Sequence, residues 1–215
     1  MTVRLRVVAV CASICCCLGQ SAQSDDDVAA VERVSEGLLV LYDFRGEGPV
    51  VKDKSGVGKP LNLRIEDLNH VRRNAGSIQI TEPTLIRSSG KAKKIVDAVK
   101  RSGAITSEAW LRPKSSDQTG PARIVTLSKD PNQRNFTLGQ DGDRMEARFR
   151  TAKTNANGTP GIVSPSHSLG SNRAVVHVVY TRSRAGTAVI YVDGTERATK
   201  KIRGPVGNWN DHYRF

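Results

Sequence analysis

At 215 residues the chain corresponds to one domain, or one domain plus a tail. Its 33 Lys and Arg against 21 Asp and Glu give a formal net charge of +12, which favours acidic partners: anionic polysaccharide, an anionic cell surface or nucleic acid. All four cysteines, Cys11, Cys15, Cys16 and Cys17, lie in one apolar run, so the rest of the chain excludes a disulfide framework, a thiolate metal site and haem attachment.

Residues 1–6 are a short basic start, and residues 7–18 are an apolar run of twelve. Small and polar residues 19–24 follow, with Ala22 and Ser24 at the −3 and −1 positions of a cleavage site. This layout predicts a secretory signal peptide over residues 1–24. The run falls short of the ~20 residues of an ordinary membrane span; a retained anchor is the alternative. The expected protein is secreted, periplasmic or held in the cell envelope, with no membrane span after signal removal. Loss of Arg4 and Arg6 would lower the charge from +12 to +10. Residues 25–36 are an acidic lead-in, expected as a linker.

Short strand signals then follow one another. Gly37 opens a strand over residues 38–44, and residues 50–56 form a short extended piece closed by an Asp/Ser/Gly loop. Residues 61–65 alternate apolar and polar, as a half-buried strand does. Residues 71–73 and 77–80 are further short strands. Residues 91–100 are the one helix candidate, with Ala92, Ile95, Val96 and Val99 near helical spacing and Gly103 as the stop. Strands are expected at 104–113 and 123–128, and a central strand, apolar on both faces, at 174–180. Residues 155–170 are a Gly/Pro/Ser/Asn-rich loop.

Two segments, 135–150 and 187–196, place Asp-Gly between strand-like runs, the strongest short-range hairpin signal. In the first, Phe136 and Leu138 share a face, as do Met145, Ala147 and Phe149. Arg144, Glu146, Arg148 and Arg150 point the other way. Regular short strands with turns between them predict an all-β antiparallel sandwich with one short helix.

The ordered set of segments resembles laminin-G-like domains of the concanavalin A-like lectin/glucanase superfamily. Residues 37–44 (Gly-Leu-Leu-Val-Leu-Tyr-Asp-Phe) with 51–56, residues 105–113 (Ile-Thr-Ser-Glu-Ala-Trp-Leu-Arg-Pro), and residues 177–181 followed by 188–194 carry the resemblance. It covers residues 37–215 and implies a jelly-roll of two stacked antiparallel sheets. Such domains bind glycans or proteins, often with calcium, and often serve as accessories in larger secreted proteins. The family pattern continues beyond residues 208–215 with further strands. The expectation is a domain lacking its last strands, with an exposed sheet edge.

Glycoside hydrolases of that superfamily need two carboxylates facing one bond, ~5–5.5 Å apart for retention. The laminarinase-type Glu-x-Asp-x-x-Glu run is missing. Arg148 stands two residues after Glu146, and Trp110 two residues after Glu108. His70, His167, His177 and His212 sit in no nucleophile-elbow context, and no zinc spacing, P-loop or dinucleotide fingerprint occurs. His177 is read as a packed or edge strand residue and Trp110 as core.

Asp43, Asp53, Asp141 and Asp143 are the calcium candidates, with Asp43 and Asp53 foremost. The alternative is that Asp53 and Asp141 hold their own turns. No other cofactor is expected. Arg144, Arg148 and Arg150, with Arg123 and Arg134 nearby in sequence, could hold sulfate or carboxylate, or could be an ordinary charged strand face. Trp209 and Tyr213, with His212, could stack on a sugar ring or pack as a tail. The reading is a non-catalytic secreted recognition module for carbohydrate, anionic polysaccharide in particular. One alternative is a structural or protein-interaction module of a larger envelope or extracellular protein. The other is a degenerate glucanase. No nucleic-acid partner is expected, since few aromatics stand near the arginines.

Overall fold

The computed structural model describes residues 2–8, 36–170 and 175–215. The strands, in chain order, are β1 (Thr2–Val8), β2 (Leu38–Tyr42), β3 (Val50–Val51), β4 (Leu63–Ile65), β5 (Val71–Asn74), β6 (Ser77–Ile80) and β7 (Ile86–Ser88). Helix α1 (Lys93–Ser102) intervenes. Then come β8 (Ile105–Arg112), β9 (Ala122–Ser128), β10 (Arg134–Asp141), β11 (Arg144–Phe149), β12 (Ile162–Val163), β13 (Val176–Arg182), β14 (Thr187–Val192) and β15 (Thr195–Lys201).

These strands form three antiparallel sheets. The large one runs β15-β14-β13-β8-β1-β6-β5, with β2 also on β1; a four-stranded sheet runs β12-β11-β10-β9; a three-stranded one runs β3-β4-β7. Period-two alternation decides which side chains go inside. On β8, Ile105, Ser107, Ala109 and Leu111 are buried, and register places them opposite Arg182, Tyr180, Val178 and Val176 of β13, all buried too. From the four-stranded sheet, Phe136, Leu138, Met145, Ala147 and Phe149 turn inward and are fully covered. The Phe136 ring lies 5.3 Å from Tyr180, and Phe149 lies 5.0 Å from Trp209. This is the all-β sandwich that the alternation and the resemblance imply. Each such aromatic or aliphatic side chain stabilises the fold by ~1.5–3 kcal/mol on burial.

Both hairpins form, with different turns. Asp193 (φ 50°) and Gly194 (φ 75°) sit between the paired residues Val192 and Thr195, and two positive φ values in a two-residue loop make a type I′ turn. In the other hairpin Asp141 pairs with Arg144, so the loop is Gly142-Asp143, one residue later than the Asp-Gly signal suggests. Only Gly142 has positive φ there, as in a II′ turn with glycine first.

Helix α1 buries Ile95, Val96, Ala98 and Val99, and it ends where Gly103 turns left-handed and donates its N–H to the Val99 carbonyl. Strands β7 and β12 escape sequence reading because each is two or three residues long within a polar, turn-rich stretch. Trp110, expected in the core, is half-buried on the outer face of β8, because it alternates with buried Ala109 and Leu111.

The basic start of the expected signal peptide takes part in the large sheet. Thr2–Val8 pairs with β8 along its length and with β2 and β6 on the other side. Register sets Val3, Leu5 and Val7 opposite the inward-facing Leu111, Ala109 and Ser107. The four cysteines and residues 25–35 of the expected linker lie outside the described residues. A chain starting at Asp25 would leave the β1-facing edge of β8 unpaired. It should melt below the full chain, by ~2–4 °C for each kcal/mol lost. Equal melting temperatures in calorimetry would show that β1 contributes no stability.

Candidate functional site

The residues of β9, β10 and β11 that do not enter the core build the outer face of the four-stranded sheet. Arg148 stands opposite Thr137, which stands opposite Thr126; Glu146 stands opposite Gly139, which stands opposite Arg123; Arg144 stands opposite Asp141. A bulge between Leu138 and Gly139 brings Arg123, rather than Ile124, into this row.

The arginines of this face differ in what answers them. Arg148 grips Glu146 with two bonds, Nε to Oε1 at 2.6 Å and Nη2 to Oε2 at 3.3 Å. Arg144 Nη2 reaches Asp141 Oδ2 at 3.2 Å. Arg134 is only 2% exposed. Its Nη1 donates to Thr137 Oγ1 at 3.1 Å, its Nη2 donates to the Pro131 carbonyl, and its Nε is buried without a partner. Thr126 donates to the Phe136 carbonyl at 3.1 Å, so the 2.7 Å contact between the two threonines is a bond from Thr137 to Thr126. Arg123 is exposed, and neither it nor Arg134 forms an ion pair among the described residues.

Four guanidiniums therefore share this face with two carboxylates, Glu146 and Asp141. Burial, then the nearby Arg148 and Arg123, pull Arg134 from its ordinary value down to about 10, against partial relief from Glu146 and Asp130. The face has an excess of positive charge that an anion would relieve.

The arginines singled out from sequence are thus not the free ones. Arg144 and Arg148 already hold carboxylates. Arg150 follows β11, half-buried, its backbone tied to Asn135 and to the Trp209 indole. The unanswered charges belong to Arg123 and Arg134, and the bulge that aims Arg123 is invisible in the spacing. Trp209 and Tyr213 offer no ring to a sugar. They are 2% and 5% exposed; Trp209 donates Nε1–H to the Arg150 carbonyl at 2.7 Å and packs on Phe149. They pack as a tail against the sheet. On the opposite side of the sandwich Trp110 stacks on His177 at 4.4 Å, and His177 Nε2 meets Glu108 Oε1 at 2.8 Å. Glu108 and Glu146 therefore stand on outer faces of different sheets.

The two foremost calcium candidates are committed elsewhere. Asp43 Oδ1 accepts from the Arg45 N–H at 3.0 Å in its own turn. The Asp53 carboxylate, 1% exposed, accepts the N–H groups of Leu41 (3.2 Å), Ser55 (3.0 Å) and Leu61 (3.0 Å) and the Lys94 ammonium (2.5 Å). The lysine supplies the positive charge, and the oxygens have no bonds left for a metal. Asp141 accepts from the Gly120 N–H, and Asp143 from the His167 N–H. Among the described residues no group of three His, Cys, Asp or Glu side chains converges.

Sequence reading also missed a cleft of about 1040 Å³ between the free edges of β9 and β7, floored by Ile78, Ile86 and Ile124 and rimmed by Arg87, Arg123 and Arg214.

Residues 87–214, more than half of the chain, match the family described as the concanavalin A-like lectin/glucanases superfamily. No curated protein matches the chain. Three solved chains match it. One was solved in work on botulinum neurotoxin type C: it is 15% identical, with a TM-score of 0.50, and the alignment covers 82% of this chain and 42% of that one. At that identity the likeness is one of fold. This chain spans less than half of that neighbour's length. That toxin's passage into cells depends on interaction with two ganglioside molecules.

Asp53 yields a stability prediction. Burial pushes its carboxyl up, but the bonds from Leu61, Lys94 and Ser55 outweigh burial and hold it below 3.8. A depressed carboxyl contributes stability that is complete above the unfolded value and is lost as pH falls through the folded one. Asp53→Asn should cost ~2–3 kcal/mol at pH 7. In denaturant titrations the gap to the parent should narrow as pH drops below 3.8. A gap that stays constant well below pH 3.8 would remove the charge from the explanation.

Proposed function

The chain belongs to the concanavalin A-like lectin/glucanase superfamily, and on that footing we propose that it is a non-catalytic carbohydrate-recognition module. It holds an anionic polysaccharide on the arginine face of β9, β10 and β11. One observation carries this reading: among the described residues Arg123 and Arg134 lack carboxylate partners, beside two arginines that have them. Exposed Arg123 makes the first contact with a sulfate or carboxylate, in the forked geometry suited to such groups. Arg134 lies beneath it, locked by Thr137 and Pro131, and adds field rather than contact. The ganglioside dependence of the toxin neighbour supports glycan as the ligand class.

A non-catalytic role is supported by the carboxylates. Glu146 is held by Arg148 and Glu108 by His177, on different sheets, so they do not flank a common bond. The layout of residues 1–24 supports action outside the cytoplasm or in the envelope.

Binding to dextran sulfate and to a polyuronate should exceed binding to neutral dextran, and should weaken as salt is raised. Arg123→Gln should reduce affinity ~tenfold, equivalent to ~1.4 kcal/mol. Arg72→Gln, on exposed β5 of the large sheet, should leave it unchanged. Equal retention of neutral and charged polymers, or an Arg123→Gln chain that binds as the parent does, would overturn this site. Release of reducing ends from any of these polymers would overturn the non-catalytic reading.

A further inference from the structure

A second concentration of positive charge lies at one end of the sandwich. Register brings several strand ends together there. Arg182, closing β13, stands opposite Ile105, opening β8; Thr187, opening β14, stands opposite Lys201, closing β15. The four-stranded sheet joins them just after β11. Thr151 Oγ1 donates to the Arg203 carbonyl at 2.7 Å, and the Ala152 N–H donates to the Pro205 carbonyl at 2.9 Å. This end is a rim of turns, drawn together from beneath by the buried Arg182 fork on the carbonyls of Gly103, Ile202 and Gly204.

Arg101, Lys153, Arg184, Lys201 and Arg203 stand exposed on this rim. Arg184 Cγ lies 3.3 Å from where a Cβ on Gly103 would sit, and Lys153 Cγ lies 3.0 Å from the same point on Gly204. The stretches that build the rim, residues 98–107, 147–164, 180–192 and 197–210, contain no Asp or Glu. Among the described residues none of these cations bonds a carboxylate; Lys201 Nζ donates to Thr187 Oγ1 at 3.0 Å. Like charges gathered on one rim repel, and an anionic surface relieves them.

Two observations select the kind of anion. The rim is built from turns of two sheets, so its cations spread over an end of the molecule instead of lining one strand face. A planar array of headgroups can meet such a spread. In addition, β1 leaves the large sheet at this same end, where Val8 pairs with Thr106 of β8 and with Leu38 of β2. The apolar residues 9–18 lie in the chain between those two strand ends. A stretch well short of ~20 residues, with both flanks at one sheet end, has the sequence character of an interfacial segment rather than a span.

We infer that this rim docks the protein on an anionic lipid surface, with Arg101, Lys153, Arg184, Lys201 and Arg203 meeting phosphate headgroups. These cations are the site. It shares no residue with the arginine face of β9–β11, so it stands or falls apart from the polysaccharide reading.

The test uses the full chain and sedimentation with two kinds of vesicle, phosphatidylcholine alone and phosphatidylcholine with about one-third phosphatidylglycerol. Binding to the anionic vesicles should exceed binding to the neutral ones and weaken as salt is raised. Each rim cation should account for ~fivefold, so Arg184→Gln with Arg203→Gln should weaken anionic-vesicle binding ~thirtyfold. Arg184→Lys with Arg203→Lys keeps the charge and should bind nearly as the parent does. Arg72→Gln, on β5, should change nothing. In the paired glutamine variant, Arg123→Gln should still weaken dextran sulfate binding, which keeps the two sites separable. Equal binding to both vesicles, or a paired glutamine variant that binds as the parent does, would overturn the inference. So would a loss of dextran sulfate affinity in that variant as large as its loss on vesicles, since a polysaccharide would then be the occupant. A tenfold gain in vesicle binding on replacing Asp25, Asp26 and Asp27 by Asn would make the chain's own acids the occupant, and would overturn it too.

Discussion

The structure depends on the seam where the four-stranded sheet meets β13. Phe136 lies against Tyr180 at 5.3 Å, Phe149 against Trp209 at 5.0 Å, and the Arg182 guanidinium covers the Phe149 ring at 4.7 Å. Arg182 is buried with no carboxylate beside it among the described residues. It is satisfied instead by the carbonyls of Gly103 (2.5 Å), Ile202 (3.0 Å) and Gly204 (3.0 Å). Those carbonyls belong to the turn after α1 and to the segment leaving β15. One side chain therefore ties the helix end, the large sheet and the trailing segment to an aromatic of the other sheet. Burial lowers its pKa, yet a guanidinium stays charged at any ordinary pH. A lysine could not span three carbonyls with a fixed fork.

That seam explains why the arginine face exists. Once Phe136, Leu138, Met145, Ala147 and Phe149 are committed inward, period two sends Thr137, Glu146, Arg144 and Arg148 outward without choice. The neighbouring turns then cover the face in part: the Pro131 carbonyl takes Arg134, and the Ala156 carbonyl takes the Arg134 N–H. The result is polar ground that is crowded rather than freely solvated. There a guanidinium without a carboxylate is more exposed to its like-charged neighbours than it would be in water.

How much of this was legible depended on the range of the interaction. Alternation on 135–150 gave the inward set and the outward arginines, because period two is a property of one strand. The Asp-Gly signal gave both hairpins, although the first turn fell on Gly142-Asp143, since the register of β10 against β11 decides it. Gly103 was legible as a helix stop from its conformational freedom alone. What stayed open was long-range. For Trp209 the Gly/Asn-rich stretch left a sugar platform or a packed tail, and Phe149, far away in sequence, is what buries it. For Asp53 the Asp/Ser/Gly loop left calcium or its own turn; the turn bond to Ser55 was legible, while the charge partner Lys94, 41 residues on, was not. The bulge that aims Arg123 is a property of two strands together.

An unpaired sheet edge invites any extended chain. Most edges here are protected. β15 is exposed almost throughout and carries Arg197, Lys200 and Lys201. β5 carries Arg72 and Arg73, and β3 and β12 are two residues each. The free side of β2 is taken at Leu41, whose N–H meets Asp53 and whose carbonyl accepts the Lys54 N–H. β9 departs from this pattern. It is seven residues long, has half-buried Ile124 and Thr126, and borders an apolar floor. Its arginine stands at the rim rather than across the edge. The trailing segment begins to cover it, where Arg214 pairs with Ser128 in antiparallel sense.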